Sequence, residues 1–453
     1  MRYLIWTSRT LVGSLFIVSG LIKANDALGF MYKMEEYFEP GALNWPGMTD
    51  YALEVAIFVC IGEILLGVAM LLGALPKLTA SLTAIIMAFF TWLTWYTSTC
   101  DPYGFKLIED ATGALVEIPN QCVLACGCFG NAIPLTPWES FMKDVVLSIL
   151  SVPMLIGAFT NRISLNDKKT GMILLTSSLV LIYLFSELMV DWLFPVLFAA
   201  ISFAVAEGIK SRVTGKGREW AMAAGVLLVS GVFQYWTLAH LPSRDYRAYA
   251  VGESISENMK TAEELGLDPP KFATEYTFKN TKTGQDTVVL STDWLQIYKE
   301  DWFKNTYEQV SFDGREVKVS DGYEPQIMDF QIIDANGDDY TEDFLNRDGY
   351  LLLHISKDLE ATEGKGQETL NALAHSAAAA GWEMIGLTNA TAEQGTAFRE
   401  KHEVPYDMYT CDQTELKIVV RSNPGLVLIQ NGVVLAKWAW RDFPTSVEDI
   451  EAR

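Results

Sequence analysis

The sequence predicts an α-helical membrane bundle followed by a soluble α/β domain, and three observations carry that expectation. Apolar runs of about 18 to 22 residues recur through the first half of the chain, each long enough as helix to cross a hydrocarbon core of roughly 30 Å. The charge is split: of 34 basic and 56 acidic side chains, 20 and 38 fall after His240. From Tyr323 onward, short apolar strand-like runs alternate with helical ones.

Seven spans are expected, roughly Tyr3 to Ile22, Tyr51 to Leu72, Leu78 to Ser98, Asp144 to Phe159, Gly171 to Val190, Leu193 to Ala206 and Trp220 to Ala239. The sixth is short enough to be a re-entrant helix instead. A cleaved signal peptide is not expected, because Arg9 interrupts the first run, no small-residue cleavage site follows it, and further spans come next. The net charge of −22 argues against nucleic acid as a partner, since no basic stripe is available to replace counterions. The bilayer itself is the first partner.

Lys and Arg are retained on the cytoplasmic side of a membrane. Arg2, Lys77, the group Arg162, Lys168 and Lys169, and the group Lys210, Arg212, Lys216 and Arg218 occupy alternate connections. The other connections dilute their lysines with Asp26, Glu35, Glu36, Glu39, Glu109, Asp110, Glu117 and Glu139. The N-terminus is therefore expected in the cytoplasm and the acidic domain outside it, in the periplasm of a cell with an inner membrane.

That placement sets the chemistry of the cysteines. Cys100, Cys122, Cys126 and Cys128 fall in or beside one long outer connection, whereas Cys60 lies in the second span and Cys411 in the soluble domain. An even set in an oxidising compartment reads as disulfides, with three pairings that sequence does not separate. The spacing gives no paired C-x-x-C knuckles and there is no nearby His, so zinc is disfavoured and no metal site is assigned. Two readings stay open. The four thiols staple the loop, or Cys126-Gly127-Cys128 forms a strained, exchangeable pair with Cys100 and Cys122 as the second pair.

Arg9 and Glu63 lie within spans, where a charge is costly unless paired. Counted along the first hairpin both fall near mid-membrane, so they are expected to pair, either as a structural ion pair or beside a proton or quinone site at Glu63. None of the four histidines, His240, His354, His375 and His402, lies in a span, which excludes bis-His haem in the bundle. An electron path through the membrane then needs thiols or a bound quinone.

Arg9-Thr-Leu-Val-Gly-Ser-Leu-Phe-Ile-Val-Ser-Gly-Leu-Ile-Lys23, Glu63, Cys126-Gly-Cys-Phe-Gly130, Leu135-Thr-Pro-Trp138 and Lys143-Asp144 together resemble the DoxX/MauE family of four-helix membrane proteins. The resemblance covers about residues 1–160, and the Cys-Gly-Cys-Phe-Gly element points to the MauE-like branch. It implies quinone-linked redox chemistry or disulfide formation in periplasmic proteins. Three further spans then occupy 161–240, and 241–323 forms an extracytoplasmic linker or subdomain with strands at Ala273 to Phe278 and Asp286 to Leu290.

Residues 324–453 resemble the thioredoxin-like fold of the peroxiredoxin and TlpA type. The order is strand Tyr350 to Ile355, helix Gly366 to Ala380, strand Trp382 to Leu387, helix Thr391 to Lys401, then a hairpin of Gly425 to Gln430 and Val433 to Trp440. Ser422-Asn-Pro-Gly425 stands where that family has a cis-proline, so Pro424 is expected to be cis. Dithiol members carry their redox pair after the first inner strand, and here Ser356-Lys-Asp-Leu-Glu-Ala-Thr-Glu-Gly364 has no cysteine. A docking role follows. Cys411 is either a resolving thiol or a buried inert one. Asp334-Ala-Asn-Gly-Asp-Asp339 lacks the Gly and Glu of a calcium loop and reads as a hairpin turn.

The leading functional expectation is a quinone-linked membrane thiol–disulfide oxidoreductase whose outer cysteines serve an extracytoplasmic protein client. The alternative is a non-enzymatic binding or assembly protein whose disulfides are structural. A transporter ranks third, because no paired broken spans are visible.

Overall fold

The computed structural model describes residues 1–109, 113–123, 127, 129–310, 315–362 and 365–452. Eight helices fill the first half: α1 (Arg2–Asn25), α2 (Ala27–Phe38), α3 (Ala52–Leu72), α4 (Pro76–Ser98), α5 (Pro137–Phe159), α6 (Lys168–Val190), α7 (Phe194–Arg212) and α8 (Arg218–Ala239). All but the short α2 are long and apolar enough to cross a membrane, which gives seven candidate spans. The sixth of these, α7, is a continuous helix of 19 residues.

Helix α5 starts earlier than its apolar run, because Pro137 takes the first turn and Thr136 with Glu139 closes a capping box ahead of the hydrophobic stretch. Helix α2 is capped by the Asp26 side chain on the Gly29 N–H and packs against α1, α3 and α8.

The first hairpin sets the register of the bundle. A Cβ on Gly13 would lie 3.1 Å from the Gly67 carbonyl oxygen, and one on Gly20 2.9 Å from that of Cys60. Glycine at 13, 20 and 67 thus lets two backbones meet where any side chain would hold them apart. At the far end of the same helix, Thr237 of α8 donates to the Ala24 carbonyl at 2.7 Å. That bond brings the exit of the bundle beside the end of α1.

Strands β1 (Phe105–Glu109) and β2 (Leu115–Pro119) form an antiparallel hairpin in the long connection between α4 and α5. Beyond the bundle, β3 (Lys271–Asn280) pairs antiparallel with β4 (Asp286–Leu290), β5 (Tyr307–Gln309) and β6 (Arg315–Ser320). Its small core is Phe278, Val289 and Phe303, with Trp294 and Tyr307 against it.

The last sheet has the order β11-β10-β7-β8-β9, built from β7 (Tyr350–Ser356), β8 (Glu383–Thr388), β9 (Met408–Thr410), β10 (Gly425–Gln430) and β11 (Val433–Ala439). β7, β8 and β9 are parallel, and β10 and β11 are antiparallel to their neighbours. Helices α9 (Gln367–Ala379) and α10 (Ala392–His402) make the crossovers, and α11 (Gln413–Val419) precedes β10. This is the strand order of a thioredoxin-like fold. Asn423-Pro424 is cis, and Asn431-Gly432 turns the hairpin as expected. Asp334 to Asp338 is a turn closed by an Asp334 N–H to Asp338 carbonyl bond of 3.0 Å.

Candidate redox site at the end of the bundle

The long connection between α4 and α5 is tied to the bundle at its base. Cys100 and Cys122 are joined by a disulfide that closes the base of the β1–β2 hairpin. The Gln121 N–H donates to the Gly41 carbonyl at 2.9 Å, and Lys106 Nζ to that of Ala42 at 2.6 Å. Cys126 and Cys128 themselves lie outside the described residues. Their neighbours are placed: a Cβ on Gly127 would sit 3.6 Å from Phe30 and Lys33 of α2. Phe129 is buried, with its ring 5.5 Å from that of Phe185 and 5.1 Å from Lys143 Nζ.

Under Phe129 two ion pairs meet. Lys23 Nζ reaches both oxygens of Glu63 at 2.9 and 2.8 Å and the Ser19 hydroxyl at 2.6 Å. Lys143 Nζ lies 2.9 Å from Asp144, which also accepts from the Thr94 hydroxyl at 3.1 Å. Both pairs line one cavity of about 30 Å³.

The expected pair of Arg9 with Glu63 is not formed. Arg9 donates instead to the Met70 and Leu71 carbonyls, at 2.8 and 3.1 Å, and to Asn166 Oδ1 at 2.7 Å. Register explains the difference. With Gly13 against Gly67 and Gly20 against Cys60, the Glu63 Cβ lies beside Gly20 while Arg9 reaches the last-turn carbonyls of α3. The eleven residues from Arg9 to Gly20 rise roughly 16 Å, and a helical side chain leans toward its own N-terminus, so Arg9 points away from Glu63 while Lys23 leans toward it. Arg9 satisfies the last-turn carbonyls of α3, where a cation also meets the negative end of the helix dipole.

A chamber of about 510 Å³ opens above, between α2, Gly127, the segment after α8 and α11. The thioredoxin-like domain meets α2 there through the end of β7 and the residues around α11. Arg421 Nε and Nη2 hold Asp26 at 2.8 and 3.0 Å, and Lys357 contacts the Tyr32 hydroxyl. Lys417 stands 4.0 Å from Glu35. Asn423, next to cis-Pro424, donates to the Asp358 carbonyl at 2.9 Å and so closes the corner that a dithiol would occupy.

Charge perturbations follow this packing. Burial alone would raise the Asp26 pKa, but the Arg421 and Arg247 guanidiniums beside it hold it below the usual carboxylate value. Burial, then repulsion from Arg421 and Lys417, brings Lys357 down to about 8. In the segment that leads out of α8, Asp245 bonds Arg247 at 2.7 Å and Lys437 at 3.0 Å, and despite burial these cations hold it at about 2. Cys411 is buried, its thiol pushed up to about 12 by burial, so it is not an attacking group.

The first 101 residues match the family model of the methylamine utilisation protein MauE. That MauE-like segment covers α1 to α4, includes Lys23 and Glu63, and ends just after Cys100. No curated protein matches the chain. Among solved structures, a candidate protein disulfide isomerase from Bacteroides thetaiotaomicron is similar, at 16% identity over 27% of this chain and 80% of its own, with a TM-score of 0.21. The fold assignment rests on strand order rather than on that likeness.

Composition and spacing do not distinguish Lys23, Lys143, Asp144 and Phe129 as site residues, although all four lie in the MauE-like elements of the sequence.

Proposed function

We propose that this chain is a membrane thiol–disulfide oxidoreductase in which Cys126 and Cys128 exchange disulfides with an extracytoplasmic protein client. The observation that carries this reading is coincidence in space. The loop anchored by Cys100–Cys122, the buried charge pairs and the corner of the thioredoxin-like domain all gather at one end of the bundle. In our reading that end faces the periplasm, the N-terminus is cytoplasmic, and the membrane is the inner one.

In the exchange, a client thiolate attacks one sulfur of an oxidised Cys126–Cys128 pair and the other sulfur leaves as thiolate. The second client thiolate then attacks the client sulfur of that mixed disulfide and expels the remaining enzyme sulfur as thiolate, so a client disulfide forms and two electrons and two protons pass to Cys126 and Cys128. Cys100–Cys122 either relays these electrons or braces the hairpin. The domain without a dithiol presents the client and roofs the chamber.

The acceptor in this reading is a lipid-soluble quinone, which would take up two electrons and two protons when bound. The cavity at Glu63, about 30 Å³, is far smaller than ligand sites of ~300 Å³ and above, and Arg9 is spent on backbone carbonyls. Neither residue fits a ring. A lipid-facing groove of about 570 Å³ between α4 and α5 does, with Trp92, Trp95 and Phe141 on its walls and the Thr91 and Ser148 hydroxyls in its floor. Met87 lines both spaces.

The test is disulfide formation in a reduced client protein by the full chain in membranes. Cys126→Ser and Cys128→Ser are each expected to abolish it, and full activity in both variants would contradict the assignment. A second reading, a non-enzymatic binding or assembly protein, is favoured by the segment Ser356 to Gly364 after β7, which has no cysteine. Trapped mixed disulfides with a client separate the two, because only an exchanging protein forms them.

A further inference from the structure

The outward face of the β1–β2 hairpin is largely apolar and, among the described residues, uncovered. Side chains alternate along a strand, and directly opposed residues of an antiparallel pair share a face. Phe105, Leu107 and Leu115 therefore stand on one side with Glu109 and Glu117, and Lys106 stands on the other. The three apolar side chains are 64, 66 and 66% exposed, as open as Ile85 at 63% on the α4 span. A patch of this kind marks a contact surface rather than a water-facing one.

Lys106 fixes what lies beside that face. Its ammonium donates to the Ala42 carbonyl at 2.6 Å and meets the Tyr96 hydroxyl in the last turn of α4. The Tyr96 ring stacks on Trp92 at 6.3 Å, and Trp92 and Trp95 are open on the side of α4 that carries Ile85 and Phe89. Trp45 and Tyr51, ahead of α3, are open at that same end of the bundle. Trp and Tyr collect at the headgroup level of a bilayer, so β1 is pinned beside an aromatic girdle at the end of two spans. The surface runs on by contact, from Trp92 to Tyr96, from Tyr96 to Lys106, and so to Phe105 and Leu107 on either side of that lysine.

We propose that this face of the hairpin lies in the headgroup–acyl boundary of the bilayer, as a foot beside α4. The bilayer is the occupant because the patch continues the girdle that the spans already present to it. The Cys100–Cys122 disulfide and an Asn120 N–H to Gly104 carbonyl bond of 2.8 Å close the base of the hairpin and hold it against the end of α4. Glu109 and Glu117 select the lipid. Carboxylates at that depth reach up to water and are repelled by anionic headgroups, so the face favours zwitterionic phospholipid. This contact needs no thiol chemistry.

Hydroxyl-radical footprinting of the unmodified full chain in phosphatidylcholine nanodiscs reads the access of these side chains. Phe105, Leu107 and Leu115 should lose oxidation down to the level of Ile85 and Phe89 in α4, while the exposed Phe272 of β3 and Leu295 stay oxidised. Hairpin residues oxidised as strongly as Phe272 and Leu295 would overturn the proposal. Phosphatidylglycerol nanodiscs should return part of the oxidation, and equal protection in both lipids would contradict the zwitterionic preference.

A photo-crosslinker identifies what covers the face. Phe105→p-benzoylphenylalanine, photolysed in cell membranes, should yield a lipid adduct on the hairpin peptide. An adduct with a second copy of the chain or with another protein, or no adduct at all, would equally overturn the proposal.

Discussion

The helical bundle and the thioredoxin-like domain divide fold and chemistry in an unexpected way. The domain has the strand order and cis-proline of a thioredoxin-like fold, yet the segment after β7 has no cysteine and Cys411 is buried. The bundle, whose helices carry no such signature, holds the anchored cysteine loop and two buried ion pairs beneath it. In the proposed reading, function follows the placement of side chains rather than the architecture that surrounds them. The domain uses its corner for contact: cations at Lys357, Lys417 and Arg421 surround the Tyr32 ring of α2.

The comparison breaks most easily on the bundle side. Lys23→Met should destabilise the protein by about 3–5 kcal/mol, because it leaves the Glu63 carboxylate buried without its partner. Thermal unfolding in detergent checks this. The double variant Lys23→Met with Glu63→Leu should recover much of the loss, since the pair as a whole contributes less than breaking it costs. A single variant of wild-type stability would mean that Glu63 is solvated.

The next effect is on pH, and it belongs to the junction. Asp245 is lowered to about 2, against an ordinary value near ~3.9, so its folded form favours the carboxylate. Its contribution, roughly 2 kcal/mol, is therefore complete above about pH 4 and is lost as pH falls toward 2. Limited proteolysis between the bundle and the domain should rise over that window in wild type, and Asp245→Asn should show the acid level of cleavage already at neutral pH.

On the domain side the contact with α2 should respond moderately. Arg421→Glu sets two carboxylates together at Asp26 and should free the domain to move, seen as loss of chemical cross-linking between α2 and α11. Asp26→Arg in the same chain should restore it. The smallest effect concerns the exposed pair Lys260 with Glu257, whose removal should change stability by less than about 0.5 kcal/mol.

Much of this architecture is legible in the sequence for physical reasons. Membrane spans declare themselves by uninterrupted apolar length, and the inner strands of the last sheet by β-branched and leucine runs closed at Asn431-Gly432. The start of α5 was hidden because Glu139, Lys143 and Asp144 make its first two turns polar. Helix α2 is short and lies where no apolar run marks it, and the β1–β2 hairpin turns apolar Phe105, Leu107 and Leu115 outward on one exposed face. The partner of Glu63 was missed because residue counts from estimated span ends give depth but not register. Gly13, Gly20 and Gly67 hold that information, and it appears only once two backbones are seen to touch.

The most direct test of the central claim is peptide-resolved alkylation of intact cells with a membrane-impermeant thiol reagent, with and without mild reduction. The expected result is protected Cys100 and Cys122 as a pair, and Cys126 and Cys128 that become reactive from outside once reduced. Labelling of Cys126 and Cys128 only after the membrane is opened would place the loop in the cytosol and contradict the redox assignment.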